Sequence, residues 1–173
     1  GLFSEVCDSA VIQNLFLEQP TMILTAQDMN AGFIANNIRG GANDEGVNFS
    51  AILRNIHLID PELRADGYSA ICGGLVGEAS YFTQITECSV TDAHFTATTA
   101  EEMGGIAGKL STSSFVNGAA VSGQISGGNI VGGIAAVIGS GENISNCHVN
   151  ADIAGAKTIG GIVGTSERSI ISN

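Results

Sequence analysis

Tryptophan is absent from the 173 residues, proline occurs twice, and only six residues are basic. Against those six stand 17 acidic residues, a formal charge of −11. A polyanion or an anionic membrane surface would be repelled by that field, so nucleic acid is not an expected partner. No apolar run approaches the roughly 20 residues of a membrane span; the longest, around Ile130 to Ile138, is broken by glycine. Charged residues make up only 13% and hydrophobic ones 44%, which is too apolar for disorder. No apolar period of 3.6 residues is sustained, and this excludes an architecture built on long helices.

Glycine, by contrast, is abundant, with 24 copies, and its placement is periodic. Gly160-Gly161-Ile162-Val163-Gly164 returns as Gly132-Gly133-Ile134-Ala135, Gly104-Gly105-Ile106-Ala107-Gly108 and Gly73-Gly74-Leu75-Val76-Gly77. Weaker copies are Ala31-Gly32-Phe33-Ile34 and Gly1-Leu2-Phe3-Ser4. Anchoring on Gly1, Gly32, Gly74, Gly105, Gly133 and Gly161 gives intervals of 31, 42, 31, 28 and 28 residues. Such a period signals a repeat architecture.

A second signature, an apolar residue with Asn two positions later, follows each anchor. It reads Ile12-Gln13-Asn14, Leu53-Arg54-Asn55, Ile85-Thr86-Glu87, Phe115-Val116-Asn117, Ile144-Ser145-Asn146 and finally Ile171-Ser172-Asn173. The anchor-to-apolar counts are 11, 21, 11, 10, 11 and 10, so the second copy alone is long. Residues 37–50 therefore read as an inserted loop. After the Asn the apolar residues alternate, as in Cys147, Val149, Ala151 and Ile153, the pattern of a half-buried strand. Gly118-Ala119-Ala120-Val121 carries an apparent extra residue that a β-bulge could absorb. The third copy has two or three extra residues between Asp92 and Thr99.

Stacked units of this kind give an all-β fold, a β-solenoid of about five coils in a single domain spanning 1–173. Expected inward rows are Leu2, Phe33, Leu75, Ile106, Ile134 and Ile162, with Leu17, Leu58, Val90, Val121 and Val149 opposite. Gly74, Gly105, Gly133 and Gly161 would let the backbone turn with φ > 0 or approach a neighbour closely. Asn14, Asn55, Asn117 and Asn146 would stack as a ladder of side-chain amides, interrupted by Glu87.

The glycine anchor followed by Ile-x-Asn-Cys-x-Val resembles the GLUG repeat, most clearly from Gly104 to Gly164. That resemblance implies a β-helical region of a bacterial secreted or cell-surface protein, as in adhesin-like proteins and IgA-specific metallopeptidases. It implies an extracellular or cell-surface location and no catalytic centre or cofactor in the repeats themselves.

Chemistry-bearing residues are few. Cys88 and Cys147 occupy one repeat position two copies apart, about 9.6 Å, too far for a disulfide. Cys72 falls in an apolar slot with Met103, Val131 and Ile159, and no CxxC pair suggests zinc. His57 and His148 share an outward position three copies apart. His94 lies beside Asp92 and near Ser89, without the strained turn of a nucleophile. Asp60, Glu62 and Asp66 with Arg64 form the one acidic cluster, within a polar turn. Asn43, Asp44 and Glu45 in the insertion are a weak Ca²⁺ candidate, lacking the spacing of known calcium loops.

The function expected is a non-catalytic structural, adhesive or partner-binding module. The alternative is an accessory region that presents substrate for a secreted enzyme, an IgA-type metallopeptidase or a polysaccharide-active protein. Asn43, Asp44, Glu45, Asn48 and Phe49 are the expected contact residues, since recognition tends to sit on loops held by a rigid scaffold. Scarce aromatics disfavour sugar stacking, so the expected partner is a protein or other cell-surface component. Both ends should present uncapped strands, with the native protein continuing beyond them and end-to-end self-association possible.

Overall fold

A computed structural model describes residues 1–25, 27, 29–66 and 70–173. The chain is a parallel β-solenoid of about five coils. Among the described residues there is no helix.

Three sheets run along the stack, two of them built from one segment per coil and the third from two. The anchor sheet has six strands: Phe3–Cys7, Ala35–Arg39, Val76–Ser80, Ala107–Leu110, Ala135–Ile138 and Val163–Ser166. A five-stranded sheet, from Asn30–Ala31 to Thr158–Gly160, leads into each glycine pair. An 11-stranded sheet carries the long segments after the Asn position, such as Ile52–Ile59, Ser89–Ala97, Ala120–Gly127 and His148–Ala154.

Alternation in sequence becomes alternation in burial. Along Ser89–Ala97, Val90, Ala93, Phe95 and Ala97 are buried while Asp92, His94 and Thr96 face outward. Both expected rows face the core: Leu75, Ile106, Ile134, Leu58 and Val90 are fully buried. Leu2, Ile162, Leu17 and Val149 of the first and last coils are partly or largely exposed, because each has a neighbouring coil on one side only.

The glycines act by close approach. None of the anchor glycines has positive φ. A Cβ on Gly74 would stand 2.1 Å from the Gly105 carbonyl oxygen, and one on Gly105 would stand 2.1 Å from that of Gly133. The preceding glycine of each pair is pressed against its own turn: a Cβ on Gly104 would lie 1.8 Å from the Ala107 oxygen. Only glycine permits a bend this tight between two stacked coils.

In two places the register is one residue from the sequence alignment. Val76 pairs with Ala35 and Cys72 with Ala31, a step of 41 rather than 42. Gly32 therefore sits beside Gly73, Phe33 occupies the place of Gly74, and Ile34 joins the inward row beside Leu75. Phe33 is also buried, stacked on Phe95 with ring centroids 6.2 Å apart. In the fourth coil Val116, and not Phe115, pairs with Ile85 and Ile144. The left-handed position held by Asn14, Asn55, Glu87 and Asn146 is then filled by Gly118, with φ of 68°. Glycine takes that conformation at least steric cost, so it, and not Asn117, claims the slot.

With Gly118 in the slot, no extra residue remains at 118–121. The bulge lies instead at Asp92, where the register shifts between Val90 and Ala93. Asp92 has φ of 55° and donates its backbone N–H to the Ser122 hydroxyl at 2.9 Å.

The Asn ladder is accordingly partial. Asn55 donates to Asn14 at 2.8 Å, and Asn146 donates to Asn117 at 2.8 Å although Asn117 stands one position early. Glu87, at φ of 56°, separates the two pairs.

Candidate partner-binding hairpin

The inserted segment is shorter than residues 37–50. Asn37, Ile38 and Arg39 belong to the anchor sheet, paired with Glu78, Ala79 and Ser80. The chain leaves the coil after Arg39 and rejoins it at Ile52, which pairs with Gln84. Between them Gly41–Ala42 and Asn48–Phe49 form a two-stranded antiparallel hairpin, the one antiparallel pairing among the described residues.

The hairpin's turn is closed by Asn43. Its side-chain oxygen accepts the backbone N–H groups of Glu45 at 3.1 Å and Val47 at 2.8 Å, and its backbone carbonyl accepts that of Gly46. Gly46 has φ of 79°, as this turn requires. Asn43 Oδ1 thus serves the turn, leaving the side chains of Asp44 and Glu45 pointing into solvent with Asn48 exposed nearby. No group of three or more His, Cys, Asp or Glu placed to hold a metal ion occurs among the described residues.

At its base the hairpin presses on the next coil. A Cβ on Gly40 would stand 2.2 Å from the Tyr81 carbonyl oxygen and 2.3 Å from that of Phe49, so the three backbones meet there. Asp8 of the first coil lies against Gly41. Arg39 is already engaged, donating to Glu5 at 3.0 Å, and this hydrogen bond holds the Glu5 carboxyl below its usual range.

A second candidate region lies where the long strands bend at Gln19, Asp60 and Asp92, all with positive φ. Two open clefts meet at His94, one of about 440 Å³ lined by Gln19, Thr21, Asp60 and Glu62, the other of about 540 Å³ reaching Asp92, Gln124 and Asp152. His94 contacts Asp60 of the preceding coil at 3.4 Å and not Asp92, because the bulge turns Asp92 aside. Ser89 is bonded instead to His57 at 2.8 Å. Histidine, aspartate and serine therefore do not converge, and Arg64 stands in a different outward column, opposite Thr96.

The cysteines are all free thiols. Ala119, rather than Gly118, lies between Cys88 and Cys147, as the pairing of Ser89 with Ala120 and of Ala120 with His148 requires. Burial pushes the Cys72 thiol up to about 12 and that of Cys88 up to about 11, so neither is a ready nucleophile.

Comparisons with protein-family models, curated proteins and solved structures found no match.

Two features escaped the sequence reading. Thr83, Ser114 and Glu142 form a buried column at the corner after the anchor sheet. The two hydroxyls donate to carbonyls three residues back, at 2.6 and 2.7 Å. Glu142 accepts the Ser113 N–H at 3.3 Å, and its other oxygen has no hydrogen-bond partner among the described residues. The other feature is Tyr81, about half exposed beside the hairpin.

Proposed function

We propose that this chain is a non-catalytic β-solenoid module of a bacterial surface or secreted protein, a rigid support that displays the hairpin at residues 41–49 to a protein partner. The observation that carries the reading is the hairpin itself. Among the described residues it is the one antiparallel excursion from the stack, and its turn is ordered by Asn43 rather than left loose. A loop ordered before binding loses less conformational entropy on contact. The bacterial and surface assignment rests on the resemblance of the glycine anchors and Ile-x-Asn-Cys signature to GLUG repeats. The charge of −11 favours a partner of opposite sign.

The polar clefts around His94 support a second reading, in which the coils present a substrate to a catalytic domain elsewhere in a longer protein. Apolar side chains exposed at both edges, Phe3 and Phe16 at one and Ile170 and Ile171 at the other, are suited to stacking on further coils of this or another copy.

The test is to shorten residues 40–51 to the three residues that the third coil uses between Ser80 and Gln84. Circular dichroism should keep its β spectrum while binding to host or sister-cell surfaces falls at least about tenfold, as loss of an interface centre does. Unchanged binding would move the site to the coil faces. Hydrolase activity in the isolated chain would overturn the non-catalytic reading.

A further inference from the structure

Among the described residues, large apolar side chains are exposed in two kinds of place. Leu2, Phe3, Val11, Phe16 and Ile23 belong to the first coil, where Phe16 and Ile23 face outward in register with His57 and Arg64, and Ile159, Ile170 and Ile171 belong to the last. The remaining two are Val47 and Tyr81, each about half exposed. Val47 lies in the hairpin and Tyr81 at the corner whose backbone meets the hairpin base at Gly40.

Tyr81 and Phe82 are also conformationally costly. They have φ of 50° and 61°, two successive left-handed residues, where bulky side chains are rare. The fourth coil fills these two positions with Thr112 and Ser113, and the fifth uses Ser140 and Gly141. Aromatic rings appear at this corner only beside the hairpin. The fold has no need of them there, since the neighbouring coils make the same corner with small residues. The fourth coil keeps the same left-handed pair, with φ of 52° and 59°, so the strain belongs to the corner and the rings alone are particular to the third coil.

Charge defines what could cover the patch. Asp44 and Glu45 stand in the hairpin turn beside Val47 and Asp8 lies against Gly41, all exposed, and Arg39 is paired with Glu5. An aromatic centre with a charged rim is the anatomy of a protein interface. We propose that Tyr81, with Val47 and Phe49 of the hairpin, forms the centre of a docking surface for a protein segment that carries apolar residues flanked by Lys or Arg. This deepens, and rests on, the reading of the hairpin as the partner site.

The probe is a displayed library of random twelve-residue peptides selected on the intact chain. Enriched peptides should pair apolar or aromatic residues with Lys or Arg, and their binding should weaken between about 50 and 300 mM salt as the rim is screened. Tyr81→Asn should reduce their affinity at least about tenfold. The same variant should melt no lower than the parent, since Asn tolerates the left-handed conformation better than Tyr. The doubly neutralised Asp44→Asn, Glu45→Gln chain should lose most of the salt dependence. Absence of enrichment, peptides without basic residues, full binding by Tyr81→Asn, or a lowered melting temperature for that variant would each overturn the proposal. If binding disappears on shortening residues 40–51 but survives Tyr81→Asn, the hairpin reading stands and this inference falls. Binding that survives both changes removes both.

Discussion

Gly105→Ala should destabilise the protein by roughly 2–4 kcal/mol, and Gly161→Ala, the same change at the same place in the motif, should stay within about 0.5 kcal/mol of the parent. The difference is positional. The new methyl at 105 meets the Gly133 carbonyl oxygen at 2.1 Å, Val121 Cγ1 at 2.8 Å and Ile125 Cδ1 at 3.1 Å. Gly133 lies in the bend between Ile130–Gly132 and Ala135–Ile138, which is fixed by the Gly133 and Ile134 N–H groups donating to Gly160 and Ile162 of the next coil, so its carbonyl cannot move aside without disturbing the stack. At 161, in the last coil, nothing lies within 4 Å. Since neither position has positive φ, backbone strain contributes to neither result. Urea unfolding midpoints would read the contrast directly. Equal losses would show that the glycines are required for local bending and not for contact between coils.

Ile134→Asp should abolish folding. Ile134 is fully buried in the inward row between Ile106 and Ile162, and the row offers a carboxylate no partner. An unpaired buried charge costs roughly 5 kcal/mol or more, comparable with the whole stability of many domains. Thr96→Asp, on the outward side of Ser89–Ala97 and paired in register with Arg64, should be tolerated. Soluble yield and the unfolding midpoint of the two variants provide the measurement. Comparable tolerance would mean that the inward and outward sides are interchanged.

The repeat and its all-β, stacked nature were legible because two independent periods agreed: the glycine spacing, and the alternation after each Asn position. Register to one residue was not legible. Gly-Phe-Ile in the second copy could be slid along Gly-Gly-Leu by one place, keeping glycine matched to glycine, and the backbone pairing of Val76 with Ala35 and of Cys72 with Ala31 decides between them. Val-Asn-Gly in the fourth copy offered two residues able to hold the left-handed slot, and Gly118 took it because its strain there is lower than that of Asn117. The insertion was recognised but begun too early, since Asn37 and Arg39 are as polar as the loop they precede while pairing in the sheet.

Other features had no signature at all. Thr83 and Ser114 look like surface turn residues, and their burial follows from hydroxyls bonded back to the turn, where the donor and acceptor satisfy each other locally. Tyr81 had no periodic reason to be noticed. Its position beside the hairpin arises from a step of 32 residues that brings the corner of the third coil under the insertion of the second.

The central claim is one coil per repeat with the register given above, and a pair of engineered cysteines tests it most directly. Thr96 and Ser126 face outward on adjacent rungs, which places their Cα atoms about 4.8 Å apart, inside the range a disulfide spans. Thr96 and Ala154 share the same column two rungs apart, about 9.6 Å, beyond that range. After oxidation, peptide mass spectrometry should find the Thr96→Cys, Ser126→Cys chain bridged within the molecule and the Thr96→Cys, Ala154→Cys chain unbridged. A bridge in the second variant and none in the first would contradict the stacking.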